Sequence, residues 1–473
     1  MDQSIIRISK VGTPRVPRIA SLKGSGSIAI AAIAVACRDI DVRNVRAIIM
    51  GPHETPYEFG FFEFAIRFTK GTAGLCVPLR PAPIPLIAHA LLDYPSKSPN
   101  VQSVTTNGGR CRFNPNIYAN GKVCLTWRGE RGEEWSSAQG LESILLSIQS
   151  LMSANPYENE PGFEDAHEES DKIAQKHYVQ KIRHESLRIS VIQRLEGYLG
   201  LTPADKFSAP APKNFEQCDD EDATVAFEPF KDLCKRRFLW YYQSYLAAIE
   251  TGKSEVKELQ PFVRMPFESP GSNSMDGKFN YPDLERRLRN IKAILDAEPD
   301  VWAKEGLEAV ARESTMAVNL QHQYEQVVSH FKQCDIPHDV TLDDGNPFVW
   351  IITYFGRPMT NLDGGLFRIR MNFSIRFPDE QPRVRFETKI FHHHVASDGT
   401  ACYVPSSLKR EDVKSHIEAI ISALENDEPA YDPRKIINPE ATKLFWGNGK
   451  DDKKQYNRRL RRSVQQSIED FPE

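Results

Sequence analysis

The sequence predicts an α+β chain in which one architecture is used twice. A repeat at fixed offsets, two-residue alternation within its strands and an amphipathic helix closing each copy lead there. In the first copy Arg46-Ala47-Ile48-Ile49-Met50-Gly51 leads into Thr55, Gly60, Phe62, Phe64, Ile66 and Phe68. In the second, Ile351 to Gly356 leads into Thr360, Gly365, Phe367, Ile369, Met371 and Phe373, each 305 residues further on. Tyr94-Pro95, Pro99 and Val101 answer to Phe377-Pro378, Pro382 and Val384, now 283 apart, and Phe113, Gly121 and Cys124 answer to Phe391, Gly399 and Cys402, 278 apart. Such repetition outranks other sequence signals.

The elements follow in order. Residues 1–44 read as an irregular N-terminal segment: Ser4 to Ile8 starts a helix, Gly12-Thr13-Pro14 breaks it, and Val11 to about Cys37 has the character of an insertion. The first unit, 45–200, opens with strands that place Phe62, Phe64, Ile66 and Phe68 on one face and Phe61, Glu63, Ala65 and Arg67 on the other, as one packed face requires. The fall in offset from 305 to 283 means that this copy carries 22 residues the second lacks, matching the proline-broken segment 71–92. That segment reads as an inserted excursion, either a functional loop or a translated unspliced segment. Ser136 and Gln139 have capping-box spacing, and Leu141, Ile144, Leu145, Ile148, Leu151 and Met152 then recur at helical spacing up to Asn155-Pro156. A second helical stretch spans about Asp171 to Leu199.

Residues 201–315 read as a linker and helical connector. Pro203, Pro210, Pro212 and the acidic run Asp219 to Asp222 suit a solvated linker. Phe230 to Ile249 predicts a buried aromatic helix whose face packs on a neighbouring domain rather than on a ligand. Pro261 to Tyr281 reads as a loop, and Leu284, Leu288, Ile291 and Leu295 mark another helix. The second unit, 316–473, begins with a helix over about Met316 to Cys334 and repeats the strand order before a helix carrying Val413, Ile417, Ile420 and Leu424.

With 40% apolar and 26% charged residues the chain has globular composition, and a net charge of −4 argues against nucleic-acid binding. The longest apolar run, Ile28 to Cys37, is about half of what a membrane span needs, so no membrane association is expected. The eight cysteines form no Cys-x-x-Cys pair, so reduced thiols and a cytoplasmic or nuclear location are expected.

The residues that carry chemistry run from Arg112 through Phe113-Asn114-Pro115-Asn116 to Gly121-Lys122-Val123-Cys124. An isolated cysteine is more often a small buried hydrophobe. Cys124 departs from that expectation because it sits in a loop of Asn, Pro and Gly, where functional groups concentrate. At this point the chain resembles the ubiquitin-conjugating enzymes: Gly51-Pro52, Thr55-Pro56-Tyr57-Glu58, Gly60, Tyr94-Pro95, Pro99, Asn114-Pro115-Asn116 with a cysteine eight residues on, and Trp135-Ser136 fall in the family's order. The run Asn155-Pro156-Tyr157-Glu158-Asn159-Glu160-Pro161-Gly162-Phe163 is most similar to the large Z-type members.

The resemblance implies two UBC-like folds, each an antiparallel meander sheet with flanking helices, joined by a helical connector. It implies that Cys124 accepts ubiquitin or a ubiquitin-like protein as a thioester from an activating enzyme and passes it to a substrate lysine, often with a ligase. Asn116 would stabilise the oxyanion. No cofactor is implied, and the absence of a P-loop fits ATP being spent on another protein. Asn114 stands where the common pattern has histidine, a position that is mainly structural. Ser137 stands where proline is usual.

The second loop, Phe391 to Cys402, keeps the cysteine, while His393 and His394 replace the proline and asparagine. Cys402 and His394 therefore read as a vestigial second site. A metal on the three histidines is not expected, because consecutive residues of an extended loop rarely converge on one ion. The alternative to a conjugating enzyme is a non-catalytic ubiquitin-binding or scaffold protein with a degenerate fold. A cysteine hydrolase ranks third, for want of a recognisable Cys-His pair.

Overall fold

The computed structural model describes residues 19–20, 32–38, 41–68, 98–125, 135–136, 139–165, 168–201, 227–268, 275–405 and 409–470. Two antiparallel meanders form. The first has the order β1 (Ile19–Ala20), β2 (Ile33–Arg38), β3 (Asp41–Met50), β4 (Phe61–Arg67) and β5 (Asn100–Ser103). The second has β6 (Asp339–Asp343), β7 (Asn346–Phe355), β8 (Leu366–Asn372) and β9 (Arg383–Phe386). Helices α1 (Leu141–Leu151), α2 (Glu169–Glu185) and α3 (Arg194–Tyr198) follow the first sheet, with a π-helical stretch, Ser186–Gln193, joining the last two. Then come α4 (Lys231–Glu255), α5 (Tyr281–Ala311) and α6 (Thr315–Gln333), and after the second sheet α7 (Val413–Glu425), α8 (Pro439–Trp446) and α9 (Asp452–Glu469). Among the described residues no helix is long and apolar enough to cross a membrane.

The two sheets share one register. Ala47 faces Phe64 as Ile352 faces Ile369, and Ile66 faces Val101 as Met371 faces Val384. A slip of one residue would turn every side chain to the opposite face, so a matched register means matched cores. The match also reaches further upstream than the sequence pattern: Val35 faces Ala47 as Val340 faces Ile352, with a register shift at Cys37/Arg38 and again at Leu342/Asp343. The segment up to residue 44 is therefore not wholly irregular. Ile33–Arg38 is the first full strand of the repeat, hidden from pattern reading because Ala-Val-Ala-Cys shows no polar alternation. The proposed insertion 71–92 lies outside the described residues.

Two local expectations change. Gln139 Oε1 does accept from the Ser136 amide at 3.3 Å, but Gln139 N donates back to Ser136 O at 2.9 Å and closes a turn. Helix α1 starts only at Leu141, with Gly140 at its N-cap. The first sheet also has two covered faces, not one. Ala47, Ile49, Phe62, Phe64 and Ile66 pack with Ile144, Leu145 and Ile148 of α1, while Ile48, Met50 and Phe61 join a cluster with α4 and α5. Glu63, on the nominally polar face, is buried against Arg194 at 2.6 Å.

The connector is thus a packed layer. Phe238, Trp240, Tyr241 and Tyr245 of α4 lie in one apolar cluster with Phe59 and Phe61 of the first unit and Cys402 and Ile437 of the second. Helix α5 is tied to α3 by a buried bidentate pair, Arg287 Nε and Nη2 to the Glu196 carboxylate at 2.8 and 2.6 Å. Arg287→Ala leaves Glu196 buried without its main counter-charge, so a loss of about 3–5 kcal/mol is expected in urea unfolding. Replacing both partners by apolar residues should recover most of it.

Candidate functional site

The loop from Arg112 to Cys124 is held by its own backbone. Ile117 N donates to Asn114 O (2.9 Å), Tyr118 N to Lys122 O (2.9 Å), Gly121 N to Tyr118 O (3.0 Å) and Cys124 N to Asn116 O (2.8 Å). Ser103 N to Gly121 O, 2.7 Å, fastens the loop to β5. Glycine is required at 121: φ is +89°, and a Cβ there would sit 2.7 Å from Ser103 O.

Asn114 is fully buried and makes three bonds. Its Nδ2 donates to Tyr57 Oη (3.0 Å) and Leu151 O (2.8 Å), and its Oδ1 accepts from the Asn116 amide (2.9 Å). Tyr57 in turn donates to Phe113 O at 2.7 Å. The backbone of Asn116 is thereby fixed, while its half-buried carboxamide makes no hydrogen bond among the described residues. Cys124 is half-buried, its amide bonded to Asn116 O. The segment after it, 126–134, and Ser137 lie outside the described residues.

Two further residues complete the site, and pattern reading named no role for either. Tyr118 neighbours Cys124: burial first, then the electrostatic influence of Cys124, raise its pKa against the pull of Arg112. The Arg112 guanidinium lies 4.7 Å from the Tyr118 ring centre and donates to Pro115 O at 2.6 Å and Glu160 Oε2 at 3.0 Å. Both belong to the quoted motif, but only the fold brings the Glu160 segment against Arg112.

The second loop repeats this scaffold bond for bond: Val395 N to His392 O (3.1 Å), Ala396 N to Thr400 O (2.9 Å), Gly399 N to Ala396 O (2.9 Å) and Cys402 N to His394 O (2.8 Å). His392 Nδ1 accepts from the His394 amide at 3.1 Å, as Asn114 Oδ1 does in the first copy. More than the cysteine is therefore kept: an aromatic nitrogen has taken over the acceptor position, and the loop geometry survives. What differs is the cover. Trp240 Nε1 donates to Ala401 O at 3.1 Å, and Tyr241 Oη donates to Arg434 O at 2.9 Å. Cys402 is 3% exposed, and burial pushes its thiol up to about 12 despite Arg237 and Lys435 nearby. Tyr241 also reaches the first unit, where the Phe59 ring stacks on it at 4.1 Å, and Tyr245 donates to Phe59 O at 2.8 Å.

The three imidazole rings lie against one another, His392 to His393 at 4.2 Å, His393 to His394 at 4.3 Å and His392 to His394 at 5.8 Å between centres. His393 packs on Phe445 and Trp446 and bonds Tyr456 Oη at 2.8 Å, and among the described residues no His, Cys, Asp or Glu group is placed to hold a metal.

The family model described as ubiquitin-conjugating enzyme matches residues 88–186 and 319–464, just over half the chain. The chain belongs to the ubiquitin-conjugating enzyme family. Over 254 residues it is 35% identical to human "Ubiquitin-conjugating enzyme E2 Z", covering 54% of this chain and 55% of that protein. The Xenopus tropicalis protein of the same name is 36% identical over 258 residues, 53% of this chain and 62% of that one. Human "Dual E2 ubiquitin-conjugating enzyme/E3 ubiquitin-protein ligase BIRC6" is 38% identical over 136 residues, 28% of this chain and 2% of that one. The chain thus spans little more than half the length of the Z-type relatives. The first family match begins at residue 88, whereas the strand register carries the first ubiquitin-conjugating fold upstream to Ile33.

Burial lowers the histidines of the second fold, His392 to about 3, His394 and His416 to about 4, and His393 further. Their folded pKa values lie below the unfolded value near 6.5, so as pH falls the unfolded chain takes up protons first. The stability tied to their neutral forms is present above about pH 6.5 and is lost as pH drops toward 4. His392→Asn keeps an acceptor for the His394 amide but does not titrate. In urea unfolding between pH 6.5 and 5 it should lower the slope by up to about 1.4 kcal/mol per pH unit; an unchanged slope would show that His392 is protonated in the folded state.

Proposed function

We propose that this chain carries ubiquitin or a ubiquitin-like protein as a thioester on Cys124 and transfers it to a lysine of a protein substrate. Family membership supports the reaction class. What carries the reading for this chain is the contrast between two equivalent loops: Cys124 is half-open in the loop whose Asn116 carboxamide is unengaged among the described residues, and Cys402 is sealed under α4.

The Cys124 thiolate attacks the carbonyl carbon of the modifier's C-terminus, held as a thioester by an activating enzyme, and expels that enzyme's thiolate. A substrate amine, free of its proton, then attacks the same carbon. The Cys124–carbonyl bond breaks, sulfur leaves as thiolate, and the nitrogen loses a proton to give the amide. Asn116 supplies its side-chain amide as donor to the oxyanion of this second step, and the hydrogen bond its backbone N–H donates to Asn114 Oδ1 fixes the backbone that carries that side chain. A ligase that holds substrate and thioester together, and a cytoplasmic or nuclear setting, go with this reading. The second unit serves as a binding and organising module, since its loop keeps the scaffold while its cysteine faces α4.

Charging with activating enzyme, ATP and ubiquitin, resolved with and without reductant, tests this. Cys124→Ala should give no reducible adduct although Cys402 is intact, and Cys124→Ser should give a reductant-stable ester or none. Normal charging of Cys124→Ala would overturn the assignment. Asn116→Ala should still charge but discharge to lysine more slowly by about 10²–10³, the usual loss on removing one oxyanion donor; unchanged discharge would take Asn116 out of the mechanism.

A further inference from the structure

Between α4 and α5 the chain does not run directly on to the second unit. It folds back as a two-stranded strap: Leu259 N donates to Phe279 O (2.8 Å), Phe279 N to Gln260 O (3.0 Å) and Phe262 N to Gly277 O (2.9 Å). The sequence reads this stretch, Pro261 to Tyr281, as an ordinary loop. In the fold, Met265 and Met275 are buried in the core of the first unit, with Phe267 packed against them. Below them Lys181, with no exposed surface, donates to Val263 O at 3.2 Å and to both Glu268 oxygens at 2.5 and 2.8 Å. A buried ion pair closed by a backbone carbonyl fixes the strap's position on the unit, because a displaced strap would leave a charge uncompensated.

The strap ends against the acceptor loop. The Phe267 ring meets Tyr157, Phe163 and Tyr178 at 5.4, 5.7 and 5.4 Å between centres. Its other neighbour is Arg112, whose guanidinium carbon is 5.6 Å from the Phe267 centre and which donates to Phe267 O at 3.5 Å. The same guanidinium lies over Tyr118 and holds Pro115 O, so one cation is clamped between the strap and two residues of the acceptor loop, one on either side of Asn116 in sequence. Arg112 is 4% exposed, and its planar guanidinium is oriented jointly by the Tyr118 and Phe267 rings, the Pro115 and Phe267 carbonyls and the Glu160 carboxylate at 3.0 Å, so loss of the Phe267 ring removes one wall of that cradle.

We propose that the strap is part of the catalytic unit, and that Phe267, acting through Arg112, is a positioning residue that holds Tyr118 and Pro115 in register with Cys124. The acceptor loop of the first unit is therefore completed by chain lying beyond the 45–200 segment, and a fragment ending near residue 200 would lack a wall of its own site. This rests on Cys124 being the acceptor, and the test separates the two.

Full-length Phe267→Ala, Phe267→Tyr and Phe163→Ala are compared in two assays. Phe163→Ala removes a ring of the same aromatic cluster that meets Tyr157 and Phe267 but, among the described residues, makes no cation–π contact with Arg112, so it reports simple loss of core. In single-turnover discharge of the ubiquitin thioester at saturating lysine, Phe267→Ala should slow roughly tenfold or more, since misplacement by 1 Å can cost on the order of 10²-fold. Phe267→Tyr, which keeps the ring, and Phe163→Ala should stay close to the parent rate. In the second assay, iodoacetamide labelling of Cys124 is read by mass spectrometry against the exposed Cys334 in the same molecule. The Cys124-to-Cys334 ratio should rise severalfold in Phe267→Ala alone as the loop loosens. A parent-like Phe267→Ala in both assays, or Phe163→Ala shifting them equally, overturns the proposal. If no variant charges but the ratio responds as stated, the thioester assignment fails and the strap's role stands.

Discussion

The burial of α4 between two copies of one fold is the constraint on which the rest of the molecule depends. The helix covers the outer face of the first sheet, stacks Tyr241 on Phe59 and seals the loop that holds Cys402. Phe238, Trp240, Tyr241 and Tyr245 are all less than a tenth exposed. At about 1.5–3 kcal/mol for each large side chain buried, lifting α4 away would cost as much as many whole domains are stable by. Exposure of Cys402 through such a motion is thus a rare event, and the two cysteine loops, alike in backbone, are unlike in access.

Duplication explains why this arrangement is available. The second loop preserves the backbone hydrogen bonds of the first, though not those of Tyr57, whose place Leu362 takes, so it offers a rigid, partly apolar surface of defined shape. In the second copy that surface receives a helix, α4. With α4 in place, the positions answering to Pro115 and Asn116 in this copy, His393 and His394, are buried. Histidines that burial keeps neutral can occupy them. The same helix delivers the strap to the first unit, so the element that closes one site also buttresses the other.

Much of this was legible in the residues. The strand pairs from Arg46 to Phe68 and from Ile351 to Phe373 alternate cleanly, and their offset foretold a shared register; the cysteine loops stood out because Asn, Pro and Gly have specific backbone uses. Strand β2 was not legible: Ala34-Val35-Ala36-Cys37 is buried with no polar alternation, and a two-residue period cannot be read from a continuous apolar run. The strap was missed for the opposite reason. Met265, Phe267 and Glu268 lie among Pro, Gly and Ser, and their burial comes from partners 87 or more residues away in sequence, such as Lys181. Tyr118 and Arg112 sat inside the quoted motif, but their roles come from Glu160 and Phe267, whose proximity exists only after folding. Asn114 was read correctly as structural, and its three hydrogen bonds give the reason.

The central claim is that access, not loop geometry, separates the two copies. It is tested most directly by labelling the native full-length chain with iodoacetamide and following Cys124 and Cys402 together by mass spectrometry. Cys124 should be modified in the folded protein. Cys402, 3% exposed with its thiol pushed up to about 12, should stay unmodified until denaturant is added. Labelling of Cys402 at a rate comparable to Cys124 under native conditions would contradict the account.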